Sequence, residues 1–251
     1  MAPKLLILAG TTEATALARA VAERDMAGCV SFAGRVERPL RQPLPQRMGG
    51  FGGAGGLADY LKAEAITHVI DATHPFAAQM SRNAVVACDA AGVPLIALTR
   101  LAWMPEPGDR WTRVPDIAGA VAALDRPRMC VMLAVGRMHL SDFASNPQHF
   151  YLLRLVDPPK GELPFPDTQV IVDRGPFDTE ADRTLMEENG IEIIVSKNSG
   201  GTGAYAKIAA ARALALPVVM IDRPDLPARR EAHDIDSVFE WIAHCGTALG
   251  V

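Results

Sequence analysis

Cysteine is scarce: Cys29, Cys88, Cys130 and Cys245 stand alone in 251 residues, none with a CxxC or CxxxxH partner and each in an apolar context. A disulfide framework and a thiolate metal site are therefore not expected, and buried free thiols are. His68, His139, His149, His233 and His244 do not cluster at metal-ligand spacing, so no metal is expected either. Positive charge is not in excess. With 25 Lys and Arg against 29 Asp and Glu, the net charge of −4 recruits neither nucleic acid nor an acidic membrane surface, and an anion must be held by local basic clusters. The apolar runs fall far short of the length that crosses a bilayer and the start carries no basic n-region, so a signal peptide and a membrane anchor are not expected. A cytoplasmic location is. No short-period repeat is visible.

What is present is apolar and glycine-punctuated. The hydrophobic fraction of 49% suffices for a sizeable core in one large α/β domain or two small ones. Lys4 to Ala9 reads as a buried parallel strand, Gly10 to Ala14 as a turn, and the Ala-rich stretch from Leu17 to Arg24 as a helix. Strand, glycine, helix can seat a pyrophosphate, because the helix start presents unpartnered N–H groups and partial positive charge. The fingerprint is incomplete, with Thr12 and Thr15 where a second and third glycine would stand, so an ordinary strand-to-helix turn is the competing reading.

The βαβ rhythm continues through strands at Cys29 to Ala33, Thr67 to Asp71 and Leu95 to Leu98. A long Pro-, Arg- and Gly-rich connection runs from Arg41 to Gly56, and a helix follows from Leu57 to Glu64. A connection of that length inside a compact unit is more often functional than a linker. Thr73 or His74 can cap a helix with Pro75 in its first turn. The segment Trp103 to Pro115 interrupts the rhythm as a crossing, and a second series places strands at Arg128 to Val135, His149 to Leu155, Gln169 to Asp173, Ile191 to Val195 and Pro217 to Ile221. The expected fold is α/β, two Rossmann-like or flavodoxin-like parallel-sheet halves joined near residue 105, with the active site in the cleft between them.

Polar or glycine-rich elements follow nearly every strand, where ligands bind in open parallel sheets. Gly34-Arg35 ends the second strand, where an acid would mark NAD and an Arg accommodates a 2′-phosphate, so the residue types lean to NADPH; a solvated surface loop is the alternative. His74, placed at a helix start that would keep its ring neutral, can hydrogen-bond a cofactor phosphate or ribose or move a proton; otherwise it is a structural cap. Lys197 to Gly203 forms a second glycine-rich turn with amide, hydroxyl and ammonium donors. It is an anion cradle for carboxylate or phosphate, without the Gly-Lys-Ser/Thr of a Walker loop. Arg137, Arg154 and Arg174 near strand ends offer forked donors to a polyanion, or ordinary surface ion pairs.

These stretches together resemble the precorrin-6A reductase family of cobalamin (corrin) biosynthesis. The likeness runs almost end to end, through Gly10-Thr11-Thr12-Glu13-Ala14, Gly34-Arg35-Val36, Gly49-Gly50-Phe51-Gly52-Gly53 and Asp71-Ala72-Thr73-His74-Pro75-Phe76-Ala77. It continues through Arg174-Gly175-Pro176-Phe177, Ser196-Lys197-Asn198-Ser199-Gly200-Gly201 and Ile221-Asp222-Arg223-Pro224. The family pattern usually begins Gly-Gly-Thr where this chain has Ala9-Gly10-Thr11. The resemblance implies a two-domain α/β reductase that uses NADPH to reduce one carbon–carbon double bond of the tetrapyrrole precorrin-6A, giving dihydro-precorrin-6 (precorrin-6B); a monomer is expected. It also implies possible hand-over of product to the next pathway enzyme.

On that reading residues 1–104 bind NADPH, through Gly10, Thr11, Thr12 and Glu13 on the pyrophosphate and Gly34 and Arg35 on the 2′-phosphate. Thr73 and His74 lie near the nicotinamide-side ribose or phosphates. Residues 105–251 supply Arg137, Arg174, Lys197, Ser199, Gly200 and Gly201 to the substrate carboxylates, helped by a flexible Gly49 to Gly56 loop. Lys197 and His74 are the catalytic candidates, Lys197 meeting the negative charge that develops in the macrocycle. Another reductase substrate, or a binding module without catalysis, would fit the same residues. Glu13 is expected to turn toward a ribose hydroxyl or a backbone donor, away from the pyrophosphate.

Overall fold

The opening strand β1 (Lys4–Ala9) is apolar throughout because both of its faces are covered. Leu5, Ile7 and Ala9 face α1 (Thr12–Glu23) and α7 (Ile235–Cys245), while Leu6 and Leu8 face α2 (Gly53–Ala63) and α3 (Ala78–Ala91). The computed structural model describes residues 2–33, 41–159, 161–173, 175 and 177–245. The chain divides into two units, one holding the residues up to Arg100 together with those from Asp225 onward, the other Leu101–Pro224.

The first unit is a parallel six-stranded sheet in the order β12-β5-β4-β1-β2-β3. Its further strands are β2 (Ala27–Phe32), β3 (Gln46–Met48), β4 (His68–Asp71), β5 (Leu95–Leu98) and β12 (Arg230–Ala232). Beginning from β3 this is the 3-2-1-4-5-6 order of a dinucleotide fold, with its switch point beside β1.

The second unit repeats the order. It comprises β6 (Arg110–Val114), α4 (Ile117–Ala123), β7 (Cys130–Ala134), two 3₁₀ turns (Arg137–His139 and Ser141–Ser145), β8 (Phe150–Leu155) and β9 (Thr168–Val172). α5 (Thr179–Glu188), β10 (Ile193–Lys197), α6 (Ala206–Ala213) and β11 (Pro217–Ile221) complete it. Its sheet, also parallel, runs β6-β11-β10-β7-β8-β9, so β7 stands where β1 stands in the first unit and β10 where β4 stands. Met132, Leu152, Ile194, Val218 and Met220 bury against Met186 of α5 and Ile208 and Ala211 of α6.

Two expectations about organisation are corrected. The C-terminal stretch belongs to the first unit, because Arg230–Ala232 pairs with Ile96–Leu98 and would otherwise leave β5 as an open edge. Val238, Trp241 and Ile242 of α7 then fill the core beside Leu5 and Ile7. Residues Arg110–Val114 are a strand on the far edge of the second sheet and not merely a crossing. All four cysteines are free, but only Cys88 is buried, its thiol pushed up to about 12 by burial and by the nearby Asp71 charge; the other three are partly exposed.

Candidate active site

The carboxyl ends of β1, β2, β3 and β4 open on a cavity of about 180 Å³, walled by Leu8, Phe32, Phe51 and Met80. Gly10, Ser31, Gly49, Gly50, Thr73 and His74 also line it, with Ala9, Ala33 and Ala77. An apolar space of this size holds one flat ring of a ligand and not a whole dinucleotide. A Cβ added at Gly10 would lie 3.8 Å from the His74 backbone nitrogen, an ordinary contact. The protein itself does not require glycine there, and its missing side chain keeps the space above the turn open. Ala9 instead sends its methyl into the core.

Thr11 caps α1, its Oγ1 accepting from the Ala14 N–H at 3.1 Å and donating to the Ala72 carbonyl at 2.9 Å. One hydroxyl thereby ties the first turn of α1 to the end of β4. Thr12 and Glu13 head the helix. Glu13 accepts from Arg100 twice, from Nε at 2.7 Å and from Nη2 at 2.5 Å, and Arg100 Nη2 also reaches Thr12 Oγ1 at 3.1 Å. Burial alone would raise the Glu13 carboxyl, but the Arg100 hydrogen bonds and charge, together with bonds from the Glu13 backbone N–H and the Thr12 hydroxyl, hold it below its ordinary 4.5. Glu13 thus finds a cationic fork on Arg100, two residues past β5, in addition to a backbone donor of the kind expected.

At the end of β4 the buried Asp71 carboxylate accepts from four donors: Thr73 N at 3.1 Å, Thr73 Oγ1 at 2.6 Å, Ser81 Oγ at 2.6 Å and Arg229 Nη1 at 2.5 Å. These bonds fix the Thr73-His74 turn from below, so Thr73 is oriented by Asp71 and not by helix capping. Capping by Thr73 or His74 is overturned. α3 begins at Ala78 behind Ala77, which offers no side-chain cap, and a separate turn closes with Ala77 N on the His74 carbonyl at 2.7 Å. His74 Nδ1 accepts from the Phe76 N–H at 3.2 Å, which places the ring proton on Nε2. The backbone of this turn selects the tautomer.

The glycine run is also more ordered than a flexible loop. Gly53 to Gly56 form the first turn of α2, and only Gly49 to Gly52 remain as a turn at the cavity. A Cβ at Gly56 would fall 1.8 Å from the Phe51 carbonyl oxygen, so the helix start and the cavity wall touch there. Gly34 and Arg35 lie outside the described residues, as does Arg174.

In the second unit the predicted donors gather at the ends of β7 and β10, which are neighbours in the sheet. Arg137 opens the exposed 3₁₀ turn after β7, and Lys197 ends β10 before Ser199, Gly200 and Gly201. Residues to which the sequence reading gave no anchoring role hold this loop. Asn198 exchanges two bonds with the Trp103 backbone, accepting at 2.8 Å and donating at 2.9 Å, and Trp103 Nε1 donates to the Gly201 carbonyl at 2.7 Å. Arg223 donates to the carbonyls of Asn198 at 3.0 Å and Ser199 at 3.2 Å. Gly200 has φ +69°, and a Cβ there would meet the Leu101 oxygen at 2.2 Å and Arg223 Nη2 at 2.4 Å. Behind the loop, Lys207 is buried over Trp103 with its Nζ on the Ala204 carbonyl, beside the buried Arg154–Asp182 pair.

The structure therefore assembles Gly10, Thr11, Thr12, Glu13, Thr73 and His74 in the first unit and Arg137, Lys197, Ser199, Gly200 and Gly201 in the second. Sequence reasoning missed Arg100, Arg229, Ser81 and Arg47 in the first unit. It also missed Trp103 and the anchoring roles of Asn198 and Arg223 in the second. Arg100 alone carried a signal, its position directly after a predicted strand. Among the described residues no helix is long and apolar enough to cross a membrane.

The chain is similar over its whole length to known proteins. Precorrin-6A reductase of Rhodobacter capsulatus is 53% identical over 249 residues, covering 99% of both chains. That of Mycobacterium tuberculosis is 38% identical over 96% of this chain and 97% of its own, and cobalt-precorrin-6A reductase of Priestia megaterium is 29% identical over 96% of each. A solved structure titled CobK precorrin-6A reductase superposes with a TM-score of 0.93 at 53% identity, covering 96% of both chains. Residues 4–243 match the family described as precorrin-6x reductase CbiJ/CobK, and the chain, alike in sequence and in its two parallel sheets, belongs to that family.

Proposed function

We propose that the chain reduces one carbon–carbon double bond of precorrin-6A with NADPH, a step of cobalamin biosynthesis that yields precorrin-6B. Membership of the precorrin-6x reductase family over nearly the whole chain carries this reading. Identity to relatives named for the cobalt-free substrate, 53% and 38% in the two cited, against 29% to the cobalt-precorrin relative, favours the cobalt-free tetrapyrrole. A cytoplasmic, monomeric enzyme that passes its product to the next pathway enzyme fits the same reading.

The first unit suits the cofactor. The 3-2-1-4-5-6 order puts a dinucleotide at the carboxyl ends of β1 and β4. There the open Gly10 turn and the start of α1 face a pyrophosphate, and Arg100 neutralises the carboxylate that would have repelled it. The apolar cavity beside Phe32, Phe51 and Met80 takes the adenine ring. Because Thr73 and His74 wall the same cavity, we assign them to the adenosine side of the cofactor, in place of the nicotinamide side. Arg35, with Gly34, is assigned to the 2′-phosphate.

The second unit suits a polycarboxylate. Arg137, Arg174, Lys197 and the loop Ser199 to Gly201 supply donors of the kind that hold acetate and propionate side chains. Bound NADPH supplies the hydride. The chain supplies orientation and fixed positive charge, with Lys197 stabilising the charge that develops on the macrocycle. The test is the loss of NADPH absorbance on adding precorrin-6A to the pure protein. Stoichiometric loss with formation of the dihydro product is expected; binding of both compounds without loss would leave a binding module and end the reductase reading.

A further inference from the structure

Arg47 stands apart from the other arginines of the cavity region. Arg100 is matched by Glu13 and Arg229 by Asp71. Arg47 is held by neutral groups alone among the described residues. Its Nη1 donates to Ser31 Oγ at 2.9 Å and to the Gly49 carbonyl at 3.0 Å, and its Nη2 donates to the Gly50 carbonyl at 3.1 Å. The guanidinium carbon lies over two rings, 3.8 Å from the Phe51 centroid and 5.1 Å from that of Tyr60. Four of these partners, Ser31, Gly49, Gly50 and Phe51, line the cavity itself.

The location narrows what the charge is for. Arg47 pairs in register with Ser31, next to the last residue of β2. In a doubly wound sheet the end of the second strand is where the adenosine ribose presents its 2′ substituent. A cation already fixed by three hydrogen bonds and two rings loses little freedom on meeting an anion, and none of its partners neutralises it. Gly49, at φ +102°, and Gly50 turn their carbonyls onto the guanidinium while leaving open space where side chains would stand.

We propose that Arg47 is a specificity-determining residue that recognises the 2′-phosphate of NADPH, in addition to the assigned Arg35. This rests on the reductase reading only for the identity of the cofactor. The Ser31 hydroxyl and the Gly49-Gly50 carbonyls preset the guanidinium, and Phe51 links it to the ring-sized cavity. An equally structured alternative is that Arg47 only clasps the Gly49–Phe51 turn.

The test compares Kd values of wild type, Arg47→Ala and Arg47→Gln for NADPH, NADH, 2′,5′-ADP and ADP, with circular dichroism verifying the fold. Gln keeps an amide donor for the glycine carbonyls without the charge. Both variants are expected to weaken NADPH and 2′,5′-ADP by about tenfold or more and to leave NADH and ADP within about twofold. Equal weakening of all four ligands would make Arg47 a clasp and overturn the assignment, as would no weakening of any. A wild type that does not distinguish 2′,5′-ADP from ADP also overturns it, while leaving a reductase that uses NADH. If 2′,5′-ADP binds through Arg47 but precorrin-6A is not reduced, the reductase reading falls and this one stands.

Discussion

Arg100 meets Glu13 with a two-pronged hydrogen bond, Nε and Nη2 on the two carboxylate oxygens, across 87 positions of sequence. The acid that seemed misplaced in a phosphate-binding turn is half of an ion pair at the head of α1. Arg100→Ala would leave an uncompensated carboxylate beside the position proposed for the pyrophosphate. The Kd for NADPH is expected to rise roughly tenfold, the effect of about 1.4 kcal/mol. Adding Glu13→Gln to that variant should recover most of the loss. Failure of the second change to rescue would mean that Arg100 acts on the cofactor directly.

The same pair has a pH signature. Because the folded Glu13 carboxyl lies below its ordinary 4.5, the pair's contribution to stability is fully present above about that pH and is lost as the pH falls through the lowered folded value. The pair is partly exposed, so the contribution is small. Acid titrations of stability for wild type and Glu13→Gln should converge toward low pH; curves that stay parallel would contradict this.

Asp71 and Arg229 are both buried, and the C-terminal segment brings the arginine to the carboxylate. Arg229→Ala strands a buried charge and should cost about 3–5 kcal/mol of unfolding free energy. Urea unfolding measures it. The same variant should weaken NADPH binding, since Asp71 orients Thr73; a loss under about 1 kcal/mol would show that Ser81 and Thr73 satisfy Asp71 unaided.

Gly200 cannot be replaced without moving both the Leu101 carbonyl and Arg223. Gly200→Ala is therefore expected to distort the loop from Lys197 to Gly201. Affinity for precorrin-6A should fall more than about tenfold while NADPH affinity, which the proposal assigns to the first unit, is unchanged. Calorimetric titration of each ligand separates the two, and equal losses would contradict the division of labour.

Lys207 is buried, and burial, reinforced by Arg154 and opposed by Asp182, brings its ammonium down to about 8. Between about pH 8 and its ordinary 10.5 the unfolded chain binds this proton and the folded chain does not, so stability rises with pH over that window. The stability difference between Lys207→Met and wild type should favour the variant most below pH 8 and shrink toward pH 10. A constant difference would show that Lys207 is not titrating there.

Much of the fold was legible because buried parallel strands are short continuous apolar runs broken by glycine or proline, as at Lys4 to Ala9 and Pro217 to Ile221. Strands without that mark escaped. Gln46–Met48 and Arg230–Ala232 are three residues long and polar, and they are strands only because a neighbour's backbone waits beside them. Asn198 and Trp103 meet across 95 positions, and no local pattern announces that contact.

The sequence by itself determined the α/β class, the glycine turns at strand ends and the residues that carry the family likeness, because each depends on neighbours a few positions away. Only the tertiary structure decided that the last strand returns to the first sheet, that Arg100 neutralises Glu13, that Arg229 reaches Asp71, and that Arg47 stands beside Ser31. These are pairings between residues 16 to 158 positions apart. They are selected by the register of strands and by the cost of burying an unpaired charge, which are quantities that local sequence does not contain.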